Sequence, residues 1–308
     1  MVTRRRSMSG ALAIVAILAG ALAAPAPAAI PAPAWSIRSL AVPTNFTPGD
    51  ESGTYRYEVM AVNSGGAATN GNPITLTDTL PAGLIAKEAG VELPAAGSTL
   101  VESVCSTEKP GESEIVRCTI PEELPSTSNP ALLEPSEALR LLIRVSTPVE
   151  AEGTTLTNLA QVQGGGALPV STTSHNAASS KPASSGLMDF RAALLGVDGL
   201  PAGQAASHPY QYTTSFAVNT TRGAPGGTSE FVPAGGDIKD VNVALPPGLI
   251  GNPTAVSRCT AQQFNTTHAI QPLGGVVTVN VLLLLADPPP LGRATVMTPV
   301  CAPDGTVT

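Results

Sequence analysis

The chain has 308 residues, enough for about two domains, with a net charge of −7, 13% charged residues and only 3% aromatics. An acidic chain poor in Lys and Arg lacks the electrostatic footprint for nucleic-acid phosphates and the basic patch that holds an anionic membrane surface. Its 43% hydrophobic share is rich in Ala and Val, and it carries 30 Gly and 30 Pro, a balance that suits short strands joined by many turns and opposes helices.

The N-terminus reads as an export signal. Arg4, Arg5 and Arg6 form a positive n-region, and Ala11 to Ala24 is an apolar run of 14 residues, short for a bilayer span of about 20. Ala26-Pro27-Ala28 supplies an A-x-A cleavage pattern, so residues 1–28 are expected to be a signal helix that is removed. The competing reading, an uncleaved anchor, is opposed by Pro25, Pro27, Pro31 and Pro33, which break a helix there. Loss of the three arginines takes the mature charge to near −10. Residues 29–41 read as a Pro/Ala-rich lead containing the one tryptophan, Trp35.

From there the pattern is strand after strand. In Thr54 to Val62, Tyr55, Tyr57, Val59 and Ala61 alternate with Arg56, Glu58 and Met60, the period-2 signature of a half-buried strand. Ile74 to Leu80 alternates again and stops at Pro81-Ala82-Gly83, where Pro81 ends ladder pairing and Gly83 supplies a positive φ. Asp78, just upstream, is expected to hydrogen-bond turn amides. Ile115 to Ile120, Ala138 to Val145 (with Leu139, Leu141, Ile143 and Val145 on one face) and Thr155 to Val162 complete a sandwich spanning 42–163. The stretch 164–186 opens on Gly164-Gly165-Gly166, continues in Ser, Thr, Ala and Pro, and reads as a flexible linker.

Residues 187–308 then repeat the first region. Tyr210-Gln211-Tyr212 followed by Ala217-Val218-Asn219 echoes Tyr55-Arg56-Tyr57 followed by Ala61-Val62-Asn63. Leu245-Pro246-Pro247-Gly248-Leu249-Ile250 echoes Leu80-Pro81-Ala82-Gly83-Leu84-Ile85, and a cysteine follows in each half. All four tyrosines fall in the two matching strands, where packing is favoured over a sugar-binding platform. The second module is expected to be β-sandwich-like and incomplete at its end.

Four cysteines in an exported chain suggest disulfides. Cys105 and Cys118 flank a hairpin-like loop and are the expected pair; Cys259 with Cys301 follows only by elimination. With no C-x-x-C and with His175, His208 and His268 scattered, a metal site is not expected. Nor is a catalytic site: G-x-S-x-G is absent, and the acid pairs Glu122-Glu123, Asp50-Glu51 and Asp237/Asp240 sit in turn-like, solvated contexts. Such oxygen-rich loops suit a hard cation weakly, but no EF-hand pattern occurs.

Over 42–163 the chain resembles the DUF11 family, a conserved-repeat domain of bacterial surface proteins. The resemblance rests on Val62-Asn63-Ser64-Gly65, on Leu76-Thr77-Asp78-Thr79-Leu80-Pro81-Ala82-Gly83-Leu84, on Arg117-Cys118-Thr119-Ile120 and on Thr154 to Ala160. The second module looks like a repeat of large secreted actinobacterial proteins. The resemblance implies an immunoglobulin-like fold, so the expected class is all-β, tandem immunoglobulin-like sandwiches behind the signal helix. It implies a cell-surface or secreted structural module. The function expected of the chain is a non-enzymatic spacer, with an adhesin for protein or glycan, using loops such as 63–73 or 222–237, as the alternative. The resemblance brings no catalytic residues and no cofactor. Expected partners are surface or extracellular proteins or glycans, with no nucleic acid, no small-molecule substrate, and membrane contact only through the transient signal segment.

Overall fold

A computed structural model describes residues 30–94, 100–125, 127–203, 209–223, 230–236 and 282–283. The signal segment 1–28, Cys259, Cys301, His208, His268, Asp237, Asp240 and the Leu245 to Ile250 echo lie outside the described residues.

The first region runs through twelve strands: β1 (Trp35–Val42), β2 (Arg56–Asn63), β3 (Ile74–Thr79), β4 (Ile85–Glu92), β5 (Leu100–Val101), β6 (Cys105–Glu108), β7 (Ile115–Ile120), β8 (Glu123–Leu124), β9 (Thr127–Ser128), β10 (Ala138–Ser146), β11 (Thr155–Gly164) and β12 (Ala167–Ala177). They make two five-stranded sheets, β1-β2-β10-β4-β5 and β12-β11-β3-β7-β6, while β8 and β9 form a small hairpin. The order β1-β2-β10-β4 against β12-β11-β3 is the ABED/GFC arrangement of a constant-type immunoglobulin sandwich. The β6–β7 hairpin widens the second sheet beside β3. The fold class is therefore all-β, with an immunoglobulin-like sandwich as its first region.

Alternation places the core. Ile37 and Ala41 of β1, Tyr57, Val59 and Ala61 of β2, Ile74 and Leu76 of β3, Leu139, Leu141, Ile143 and Val145 of β10, and Leu156, Ala160 and Val162 of β11 belong to one apolar cluster between the sheets. Phe46 stacks on Tyr55 at 5.4 Å and meets Tyr57 edge-on at 5.2 Å, so these two tyrosines are core residues. Burial of a side chain of this size contributes roughly 1.5–3 kcal/mol. Gly83 takes its positive φ of 85° in the turn after β3, with Leu84 N–H bonded to Pro81 O.

Two boundaries differ from the sequence reading. The 29–41 lead holds β1, an edge strand paired along its whole length with β2. Trp35, read as part of that lead, is buried, and its indole N–H donates to Gly164 O at 3.1 Å. The 164–186 linker is likewise not a linker for most of its length. Residues 167–177 form β12, which pairs with β11. Gly164, Gly165 and Gly166 all have positive φ and make the turn between these strands. A Cβ at Gly164 would lie 2.1 Å from Pro73 O, so the glycines serve a tight approach. The run of Ser and Thr that resembled a flexible tether is a polar edge strand, and hydrogen bonding to β11 outweighs its lack of large apolar side chains.

The second region contributes β13 (Leu187–Leu195), β14 (Gln211–Val218), β15 (Thr220–Arg222), β16 (Phe231–Pro233) and β17 (Leu282–Leu283). β13, β14 and β17 form one sheet, and β15 and β16 a ribbon. The tyrosines here do not repeat the core role of the first pair: Tyr210 is exposed and Tyr212 half-buried.

Candidate functional site

β1 and β2 are buried on their inner faces and over most of their outer faces, where Ser36 is exposed and Met60 and Val62 are half-buried. Their inner faces pack into the sandwich; their outer faces meet β13, β14 and the β15–β16 ribbon. Pairing with β2 makes Arg38 face Met60, and alternation sends Arg38, Arg56 and Glu58 outward, where an isolated sandwich would leave them in water. Here Arg38 is 4% exposed and Arg56 and Glu58 are also buried.

The seam is held by charge and backbone. The Asp189 carboxylate lies 3.3 Å from Arg38 Nε and 3.2 Å from Arg191 Nε, so one anion serves two guanidiniums. Arg38 Nη2 donates to Ser215 O at 3.3 Å and also contacts Ser215 Oγ. Arg191 donates to Ile37 O at 2.7 Å and to Thr172 Oγ1 at 3.0 Å, bridging the edge strands β1 and β12. Gln211 Nε2 donates to Ser64 O at 2.9 Å, and Thr220 N–H to Thr44 Oγ1 at 2.8 Å. Near the Thr44 end, where Arg56 faces Val42, Arg56 pairs with Glu58 at 2.7 Å and sits 5.4 Å over the ring of Phe231, which joins the apolar cluster of the sandwich. Burial lowers the Arg38 guanidinium to about 10; Asp189 opposes this and Arg191 adds to it. Arg38 therefore stays charged at neutral pH.

A second polar group lies inside the sandwich. Asp78 follows Ile74 and Leu76 on the inward face of β3 and is fully buried. Asn158 Nδ2 donates to its Oδ2 at 2.7 Å and to Ser39 Oγ at 2.9 Å. The Tyr57 hydroxyl donates to Asn176 Oδ1 at 2.6 Å. Asp78 Oδ1 and Asn158 Oδ1 have no hydrogen-bond partner. Burial raises the Asp78 carboxyl to about 7, with the Asn158 bond opposing, and burial followed by the Asp78 charge raises the Tyr57 phenol. Asp78 was expected to bind turn amides. Period-2 alternation puts it on the core face instead, a signal readable in the sequence but overridden there by the turn motif that follows it.

The other sequence candidates are dispersed. Cys105 and Cys118 stand directly opposite on β6 and β7 and are joined as a disulfide. His175 is exposed on β12 with Nδ1 3.1 Å from Thr157 Oγ1. Glu122 and Glu123 are exposed, and Asp50 Oδ1 accepts the Ser52 N–H at 2.8 Å in a local turn. Among the described residues, no group of three or more His, Cys, Asp or Glu is placed to hold a metal ion. The seam residues Asp189 and Arg191 were missed because nothing in the local pattern of β13 says which surface it will cover.

No protein-family model and no curated protein matches the chain. Among solved structures it is similar to AvmM, described as catalysing macrocyclization in alchivemycin A biosynthesis, at 13% identity over 49% of this chain and 91% of that one, with a TM-score of 0.32. It is similar to BcpA, the major pilin subunit of Bacillus cereus, at 11% identity over 65% of this chain and 64% of that one, with a TM-score of 0.32. It is similar to a collagen-binding domain from a Staphylococcus aureus adhesin at 11% identity over 45% of this chain and 95% of that one, with a TM-score of 0.29. Likeness at this level carries no functional argument. What stands on the chain's own geometry is an immunoglobulin-like sandwich whose outer β1–β2 face is covered by a second β region through a charged seam.

Proposed function

We propose that this is an exported, non-enzymatic structural module of a bacterial cell surface or extracellular matrix, DUF11-like in its first region, that acts as a stiff spacer. The observation that carries the reading is the seam. Contacts from Thr44–Thr220 at one end to Ser64–Gln211 at the other fix the second region along the full length of β1 and β2. A spacer whose regions are clamped transmits position and force, which a pair of modules on a floppy tether does not. The arginine-led apolar segment at the N-terminus and the Cys105–Cys118 disulfide support a destination in an oxidising compartment.

Intact mass spectrometry of the natively exported protein, with and without thiol alkylation, tests the destination. Loss of about 28 residues, with Cys105 and Cys118 resistant to alkylation, is the expected result. A retained N-terminus with both thiols alkylated would sink the export reading. Clean negatives on arrays of glycans and extracellular-matrix proteins are expected of a spacer; a saturable hit would replace it with the adhesin reading.

A further inference from the structure

β1 and β12 are end strands of the two sandwich sheets and belong to different ladders. They meet along one edge of the sandwich, where side chains and not a shared ladder hold them together. Two sets of hydrogen bonds do this. From the seam side, Arg191 donates to Ile37 O of β1 at 2.7 Å and to Thr172 Oγ1 of β12 at 3.0 Å. From the core side, Ser39 Oγ of β1 accepts from Ser174 Oγ of β12 at 3.2 Å and from Asn158 Nδ2 at 2.9 Å. Asn158 Nδ2 also donates to Asp78 Oδ2 at 2.7 Å. A row of hydrogen bonds thus runs from half-buried Ser174 through Ser39 and Asn158 to the fully buried Asp78.

The core-side set is complete only with a proton. Asp78 Oδ1 and Asn158 Oδ1 are buried acceptors without a partner, on two residues that already touch. A carboxylate has no donor to offer them; a carboxylic acid has one, its O–H. The surroundings favour the acid. Asp78 stands opposite Ala160 of β11 and Val116 of β7. β1 and β12 bring Ser39, Ser174 and Asn176 to the same cluster, and the inner face of β10 is apolar. The titratable group facing Asp78 is Tyr57 of β2, whose phenol is raised by burial and then by the Asp78 charge and stays neutral. Arg38 and Arg191 make their ion pairs in the seam, with Asp189. Burial raises the Asp78 carboxyl to about 7, against the Asn158 bond. Ionisation removes the one donor and leaves a charge that needs water, and the polar row to Ser174 is the way in. We propose that the β1–β12 edge is an acid-latched opening in the sandwich: it is shut from the core side while Asp78 carries its proton, it opens when the proton leaves, and Arg191 staples it from the seam side. The latch needs only the sandwich and its seam and does not rest on the spacer reading.

Hydrogen exchange of the full mature chain from pH 5 to 8, each rate divided by its intrinsic value, reads the opening of β1 and β12. The shut edge holds the Asp78 carboxyl at about 7, and the open edge hydrates it and returns it toward 3.8. The open state therefore binds fewer protons, and opening is expected to rise about tenfold per pH unit from pH 5 toward 7 and to flatten above. β10 is expected to exchange more slowly at every pH, because it opens only when the whole sandwich unfolds. Carbon-13 NMR of the aspartate carboxyls in the same protein should place the Asp78 midpoint at about 7. Asp78→Asn puts an N–H donor that no pH in this range removes where the acid had its O–H, so a flat profile is expected. Arg191→Lys keeps the charge and loses the two-armed bridge; it should raise opening by about tenfold at every pH, with the shape of the profile unchanged. Exchange in β1 and β12 that is independent of pH or identical to that of β10, an Asp78 midpoint in the ordinary carboxylate range, a pH rise that survives in a folded Asp78→Asn protein, or an Arg191→Lys profile that overlays the parent overturns the proposal. Array or mass-spectrometric failure of the spacer reading leaves each of these outcomes unaffected.

Discussion

β1 and β2 present two largely buried faces that are built from opposite chemistry. Inward, Tyr57, Val59 and Ala61 meet Leu139, Leu141 and Phe46 in an apolar layer. Outward, Arg38, Arg56 and Glu58 meet Asp189, Arg191, Glu230 and Phe231. The inner face gains free energy with every Å² removed from water and needs no exact partner. The outer face has desolvated charges, which stabilise only while their specific partners stay in place. The first kind of contact makes a region fold; the second makes two regions fit in one arrangement. A seam of the second kind can open without unfolding what lies beneath it.

The largest effect is expected in the inner layer. Leu141→Ala should cost about 2–5 kcal/mol, as buried leucine truncations do, and urea denaturation should show the whole sandwich losing stability together. A loss confined to one sheet would break the distinction between core and seam.

Next is the polar intruder in that layer. The folded-state carboxyl of Asp78 is raised to about 7 from an ordinary value of 3.8, so the folded chain holds this proton more tightly than the unfolded one. Its contribution is therefore fully present below about pH 4 and is lost as pH rises through 7, by up to about 4 kcal/mol at roughly 1.4 kcal/mol per pH unit. Asp78→Asn should match the parent at pH 4 and exceed it in stability at pH 8, because Asn keeps an acceptor for Asn158 and never ionises. Equal pH profiles for the two proteins, by thermal melts across pH 4 to 8, would remove the buried charge from the account.

The smallest effect belongs to the seam. Asp189→Ala leaves Arg38 and Arg191 facing each other without their shared anion. Since the Asp189 side chain is itself 25% exposed, the cost should be about 1–3 kcal/mol. Hydrogen exchange should locate it: faster exchange in β13 and β14, unchanged protection in β3, β10 and β11. Uniform loss of protection would mean that the second region is part of one cooperative core and that the seam is no seam.

The strands of the first region were legible because each is an alternation of period 2 bounded by Gly or Pro. Ile115 to Ile120 has the same limits in sequence and structure, and Ile74, Ala138 and Thr155 each open their strand as expected. The same rule applied without exception places Asp78 and Asn158 inward with their apolar neighbours; reading Asp78 as a turn residue set that rule aside. β12 was illegible because an edge strand needs only backbone pairing, which Ser, Thr and Gly provide as well as larger residues do. Cys105 and Cys118 could be paired from their loop, since a hairpin is a local object.

By itself, then, the sequence determined what is local: an acidic, β-forming chain, the alternating strands, the turn at Pro81 to Gly83, the hairpin cysteines and the export-signal pattern. Tertiary structure alone decided which strands pair across long separations and which polar residues are buried. Arg38 and Asp189 are 151 residues apart, and no periodicity in either strand carries information about the other. Their ion pair and the covering of the outer face of β1 exist only once one surface is laid on another, because desolvation and charge pairing depend on distance in space and not along the chain.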